Sequence, residues 1–495
     1  MRRLFVSVAA TSLALSACAV GPNYRQPSPI PHADGAFVST ETAGAATTVP
    51  RDDWWHLYDD ATLNGLIQKA LAANTDLRRA EANLALSRAT LSEARSGLFP
   101  STTLSAGATY GRSSTANGNA GAAAAEQQAL AGVPTANTAA FGPTTAHAGW
   151  IYQAGFDMNY EVDLFGRVRR NIEAARADAQ STEAARDAVL ITVVSDVAKA
   201  YVDGCAYAQQ LDVAERNLKL AQSTYDLTKL QFTAGTLSAL EQARAETVLE
   251  QARATIPTLE GNRAANLFAL AALLGVAPKD APQEATRCTA PPRLGSPIPV
   301  GDGTALLLRR PDVREAERTL AAETARIGVA TADLYPSVSL GGSIGTAGKG
   351  SNLFSYGAST FGIGPLISWN FPNILAARAR IREAKASAQA ALASFDGTML
   401  TALKETEQAL ATYGGELRRN AALVRARDAS RTAFNLVQAR FTAGTISQLD
   451  LITAEQTLIS AEQSLAASDQ SLADDQVAVF KALGGGWQGA PVPKL

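Results

Sequence analysis

The chain has 495 residues, enough at about 150 residues per domain for roughly three domains of structure, so a single small module is excluded. Its 44 Lys and Arg against 46 Asp and Glu give a net charge of -2, without the basic excess that phosphate neutralisation demands of a nucleic-acid binder. Charged residues are 18% and apolar residues 46%, with a strong alanine bias, which suits long, closely packed helices and excludes a polar disordered chain.

The chain opens with an export signal. Arg2 and Arg3 precede the apolar run Leu4 to Ala14, and Leu15-Ser16-Ala17-Cys18 follows. Residues 1–17 are too short to span a membrane. The ending resembles the bacterial lipoprotein box, which implies that Cys18 becomes the acylated first residue, held by outer-membrane lipid. Loss of Arg2 and Arg3 would leave 42 basic against 46 acidic residues, a net charge of -4. Several acyl chains suffice for stable anchoring. Ala19, by resemblance to sorted lipoproteins, favours the outer membrane. No other window has the 18 uninterrupted apolar residues of a membrane helix, so any crossing would be made by β-strands.

An internal duplication organises the rest. Asp76 to Leu104 matches Asp312 to Leu340 at an offset of 236, and Phe232-Thr233-Ala234-Gly235-Thr236-Leu237-Ser238 returns as Phe441-Thr442-Ala443-Gly444-Thr445-Ile446-Ser447 at an offset of 209. The second match continues through Ala245/Ala454, Glu246/Glu455 and Leu249/Leu458. The expected layout is an extended acylated segment 18–58, a first repeat 59–276, a proline-rich connector 277–301, a second repeat 302–484 and a tail 485–495.

Each repeat reads as helix, alternating segment, loop, alternating segment, very long helix, tight turn and returning helix. No proline lies between Pro143 and Pro257 or between Pro372 and Pro491, so helices of about 70 residues are expected near 165–234 and 373–443. At 1.5 Å per residue each would be about 100 Å long. Leu190, Val197, Leu211, Leu218, Tyr225 and Phe232 recur at multiples of seven, as do Leu451, Leu458, Leu465, Leu472 and Val479, the spacing of antiparallel coiled coils. Gly235 and Gly444 read as left-handed stops, and Ser238 and Ser447 as caps of the returning helices.

The alternating segments lie near 101–111, 150–164, 337–346 and 354–371. From Tyr152 to Leu164 apolar side chains alternate with Gln153, Gly155, Asp157, Asn159, Glu161 and Asp163. Apolar on one face and small or polar on the other, these strands suit lipid outside and water inside. Four strands cannot close a water-filled barrel, so oligomerisation is expected, with three chains supplying twelve strands. The stretch from Arg112 to Ala146 reads as a long surface loop.

In this arrangement the chain resembles a TolC-like outer membrane factor of the lipoprotein (NodT/OprM-like) branch. The carriers are Cys18 with Val20-Gly21-Pro22-Asn23-Tyr24, Trp54-Trp55, Tyr160-Glu161-Val162-Asp163-Leu164-Phe165-Gly166-Arg167, the two Phe-Thr-Ala-Gly-Thr turns, and Leu308-Arg309-Arg310-Pro311-Asp312-Val313-Arg314. The resemblance implies a mainly α protein with a membrane β-barrel: a homotrimer with four β-strands per protomer, a twelve-stranded barrel and a coiled-coil α-helical barrel. It further implies a periplasmic adaptor and an inner-membrane resistance-nodulation-division transporter as partners. Function would be that of an efflux exit duct, the same-fold alternative being the channel of a type I protein secretion system and the other a periplasmic coiled-coil scaffold. Glu241 and Asp450 would ring the periplasmic entrance, where crowding of like charges should raise carboxylate pKa values and favour cations. Gly235, Thr236, Leu237, Ser238, Gly444, Thr445, Ile446 and Ser447 would be the adaptor-docking tips. Phe441 and Ile446 stand where some members carry a tyrosine and an arginine that tie the hairpins shut.

Enzyme chemistry is not expected, nor a cofactor or metal. His32, His56 and His147 stand apart from one another and from any cysteine at metal-ligand spacing. Gly345-Thr346-Ala347-Gly348-Lys349-Gly350 lacks the spacing and hydroxyl of a phosphate loop. Asp76, Glu81, Asp312 and Glu317 read as structural ion-pair partners. Whether Cys205 and Cys288 are bridged depends on a Cα separation that sequence does not give.

Overall fold

The computed structural model describes residues 19–28, 30–31, 33, 35–111, 149–348, 353, 355–369, 371 and 374–485. Cys18, the signal segment, His32, His147, the loop 112–146 and the tail beyond residue 485 lie outside them. The first repeat comprises α1 (Ala61–Ala73), α2 (Thr75–Ser96), β1 (Ser101–Gly111), β2 (Gly149–Val162), α3 (Arg167–Thr233) and α4 (Ala239–Leu273). The second comprises α5 (Gly303–Arg309), α6 (Pro311–Ala332), β3 (Ser337–Gly348), β4 (Ser359–Ser368), α7 (Ile374–Thr442) and α8 (Gln448–Ala482). The two proline-free stretches are thus helices of 67 and 69 residues. Short helices start where the sequence offers caps: Asp60 accepts from Thr62 N and Leu63 N, Asn74 from Asp76 N and Leu77 N, and Asp302 from Ala305 N.

The chain forms two compact units. One takes residues up to Pro27, 85–181 and 317–394, and holds the sheet. Its order is β1-β2-β3-β4 with every pair antiparallel. The fourth strand is shorter than expected: Tyr356–Ala358 forms a 3-10 turn, and pairing with β3 begins only at Ser359. β3 runs through Gly348, so Gly345 to Gly348 is strand. In the same unit Val20 N donates to Phe165 O, and Arg170 donates to Val20 O and Asn23 Oδ1. Gly21, at φ 91°, lies so near Gly328 that an added Cβ would approach its Cα to 2.5 Å, which explains the glycine of the Val20-to-Tyr24 motif. Tyr24 donates to Glu317, which also pairs with Arg318.

The other unit takes residues 28–84, 182–316 and Phe395 onward, and holds the largest core. Trp54 stacks on Phe480 at 4.7 Å among Leu63, Leu66, Ile67, Leu190, Val197, Leu270 and Leu410, all buried. Each such aliphatic side chain contributes about 1.5–3 kcal/mol on burial. Arg309 and Arg310 tie the chain together here. Arg309 donates to Pro50 O, Arg51 O and Asp52, and Arg310 to Ala482 O, Asp312 and Glu405. Glu81 pairs with Arg186 at 2.8 Å and Asp76 with Arg79 at 3.1 Å. Cys205, fully buried on α3, is bonded to Cys288 of the connector, their Cα atoms 5.1 Å apart.

Candidate functional site: two hairpin tips and an open sheet

The two tips share one local construction. Gly235 and Gly444 have φ of 75° and 73°, the left-handed conformation that ends an outgoing helix. Thr236 N donates to Gln231 O at 2.9 Å and Thr445 N to Arg440 O at 3.0 Å, so the last carbonyls are satisfied alike. Ser238 N donates to Glu241 Oε2 and Ser447 N to Asp450 Oδ2, both at 3.1 Å. Each serine hydroxyl in turn accepts from the first turn of its helix, completing a capping box. Glu241 and Asp450 are therefore the third residues of α4 and α8. Asp450 is fully exposed, and its hydrogen bonds from the Ser447 hydroxyl and backbone hold its carboxyl below the usual range. The rise expected from crowding of like charges requires neighbouring copies, whereas the cap acts within the chain. Thr236, Ser238, Thr445 and Ser447 are exposed, and Leu237 and Ile446 half-buried.

Behind the turns the tips differ, in a way the sequence did not flag. Glu455 of α8 is 1% exposed and accepts from Thr224 Oγ1 of α3 at 2.5 Å. Two turns nearer the tip on α8, Gln448 Nε2 donates to Thr228 Oγ1 at 2.7 Å, again from α8 to α3. Burial raises the Glu455 carboxyl, opposed by the Thr224 hydrogen bond. Glu455 Oε1 has no hydrogen-bond partner among the described residues. Its repeat match, Glu246, is exposed. Further along the same helices Lys199 lies 3.0 Å from Asp203 and 2.7 Å from Asp474, and Gln470 donates to Asp203. Asp474 and Asp475 are both pushed up to about 6, chiefly by burial, with Asp203 and Glu416 adding repulsion.

The sheet is built to face two solvents. Register puts Ser101, Asn159, Gly341 and Gly364 in one row, and Thr103, Asp157, Ser343 and Gly362 in the next, so one face is small and polar. The other carries the rows Leu104, Phe156, Ile344, Phe361 and Val162, Val338, Ile367. Phe361 is 87% and Leu104 82% exposed. The edges formed by β1 and β4 are unpaired among the described residues. No helix among the described residues is long and apolar enough to cross a membrane. Nor do those residues hold a group of three or more His, Cys, Asp or Glu placed to bind a metal ion. His56 is exposed.

A duplicated helix-sheet-helix chain with a two-faced sheet and capped hairpin tips has the fold of TolC-like outer-membrane channels, the class that forms exit ducts for efflux. The chain belongs to the outer membrane efflux protein family, whose sequence model matches residues 66–276 and 304–485, one match for each repeat. It is 30% identical over 450 residues to nodulation protein T of Rhizobium leguminosarum bv. trifolii, covering 90% of either chain. It is likewise 30% identical over 500 residues to the antibiotic efflux pump outer membrane protein ArpC of Pseudomonas putida, covering 98% of this chain and 96% of ArpC. Among solved structures the outer-membrane channel OprN superposes with a TM-score of 0.83 at 33% identity, covering 95% of this chain and all of that one. The protein is an outer-membrane exit duct of an efflux pump.

Proposed function

We propose that three copies join sheet edge to sheet edge into a twelve-stranded barrel, continued by a coiled-coil helical tunnel through which drugs or other small solutes leave passively. The carrying observation is the open sheet: free edges at β1 and β4 together with an exposed apolar face are stable in a membrane only once the strands close on one another. Energy would come from an inner-membrane resistance-nodulation-division transporter through a periplasmic adaptor docked at Gly235 to Ser238 and Gly444 to Ser447. Glu241 and Asp450 would form the cation-favouring mouth, and acylated Cys18 the lipid anchor. The chain itself would perform no chemistry. The relative ArpC, an antibiotic efflux component, supports small molecules over proteins as cargo.

The test is single-channel recording of the purified protein in planar bilayers. Wild type is expected to run as a trimer and give a small cation-selective conductance, with selectivity falling in the E241A/D450A double variant. A monomer without conductance would overturn the reading, and unchanged selectivity would remove the two carboxylates from the mouth.

A further inference from the structure

Where the sheet ends, the second repeat carries three exposed cations in a row where the first carries mostly paired ones. After β4 come Trp369 and Phe371, 50% and 64% exposed with rings 4.9 Å apart, then Leu375, 81% exposed at the start of α7. The next turns present Arg378, Arg382 and Lys385, all exposed. With 3.6 residues per turn these three fall within about 60° of arc, and Leu375 borders them. The buried and half-buried side of the same turns is Ala377, Ile381 and Ala384. Arg380 projects elsewhere, 3.5 Å from Asp333, into a cavity of about 350 Å³ lined also by Asn159 and Glu161. Glu383 lies across the helix from the cations.

None of the three makes an ion pair or side-chain hydrogen bond among the described residues. At the matching positions of α3 the charges are quenched. Arg169 bonds Asp163, residue 173 is a glutamate bonded to Arg170, and only Arg176 is both exposed and basic. A row of cations without an ion pair among the described residues, following an apolar sheet face and an exposed tryptophan, has the order of groups met across a membrane interface: acyl chains, interfacial aromatics, then phosphates.

We propose that Arg378, Arg382 and Lys385 form a docking stripe for the phosphate headgroups of an anionic phospholipid leaflet, with Trp369, Phe371 and Leu375 seated in its interfacial layer. The proposal rests on the outer-membrane reading. It assigns the second repeat an electrostatic grip on the leaflet, separate from any acyl anchor. Each exposed cation near an anionic surface shifts partitioning about five-fold, and salt screens the effect.

The experiment measures lipid preference of the purified full chain by native mass spectrometry from detergent containing phosphatidylglycerol and phosphatidylcholine with identical acyl chains. Wild type is expected to retain phosphatidylglycerol preferentially. Each of R378Q, R382Q and K385Q should lower that preference about five-fold, the triple variant should abolish it, and R176Q should leave it unchanged. Equal retention of the two lipids by wild type, or a preference that survives in the triple variant, would overturn the proposal. Loss of the oligomer in the triple variant with its lipid preference intact would reassign the stripe to contact between copies and overturn it too. Cell fractionation separates the two readings: wild type absent from the outer membrane would sink both, whereas wild type present there without headgroup preference sinks only this one.

Discussion

The two hairpin tips are the same turn placed in two environments. Both have a left-handed glycine, a threonine bonded back to the outgoing helix and a serine boxed with an acid three residues on. Two turns into the returning helix the copies part: Glu246 is exposed on α4, while Glu455 on α8 is sealed against Thr224 of α3. Local sequence is enough to make a turn and a cap. Whether the next carboxylate is solvated or buried depends on what packs beside it, and on α8 that is the polar face of α3 carrying Thr224 and Thr228. The lesson is that duplication copies the joint and leaves the seam to be decided by packing.

The largest effect should come from breaking that asymmetry. Glu455→Lys buries an unpaired cation facing Thr224, which should destabilise the tip by about 3 kcal/mol or more, whereas Glu246→Lys should stay within about 0.5 kcal/mol. Apparent melting temperature together with hydrogen exchange along α3 and α8 would check this, and equal losses at the two positions would sink the distinction. A smaller effect tests the shared joint. Ser238→Ala and Ser447→Ala should each cost about 1 kcal/mol of local helix stability, seen as faster exchange in the first turn of α4 and α8 respectively. Unequal losses would mean that the caps are not equivalent.

The smallest expected effect is on pH dependence. Asp474 and Asp475 stand at about 6 in the folded chain, above the value of an unfolded aspartate, and Glu455 is also raised. The folded state thus holds these protons more tightly. The contribution is fully present below the unfolded pKa and is lost as pH rises through about 6. Asp450 works oppositely: its carboxyl is lowered, so its share is present above the unfolded value and lost as pH falls through the folded one. Because the buried acids dominate, the apparent melting temperature should rise by about 2–4 °C from pH 8 to pH 5.5, and less in D474N/D475N. A fall over that range would contradict the assignment.

Much of the architecture was legible because it rests on local rules. Long proline-free stretches can only be bounded by their prolines, and Leu451, Leu458 and Leu465, spaced by seven, are all buried. Alternation in Tyr152 to Leu164 separated the polar row through Asp157 and Asn159 from the apolar one. The start of β4 was not legible, since Tyr356 to Ala358 continues the apolar-polar mixture yet forms a 3-10 turn. The Glu455 seam and the Arg170 clamp on Val20 and Asn23 were hidden for a deeper reason: each joins residues more than 140 positions apart, and neither partner is unusual alone. The bond between Cys205 and Cys288 falls between these cases, its residues conspicuous but its geometry unreadable.

That bond has a topological consequence. The chain from Cys205 to Cys288 is a closed covalent ring containing the tip half of α3, the first turn and all of α4. The second hairpin has no cysteine and no such ring. The base of the first hairpin is therefore tied covalently from α3 to the connector that follows α4. Parting of α7 from α8 meets no such covalent link.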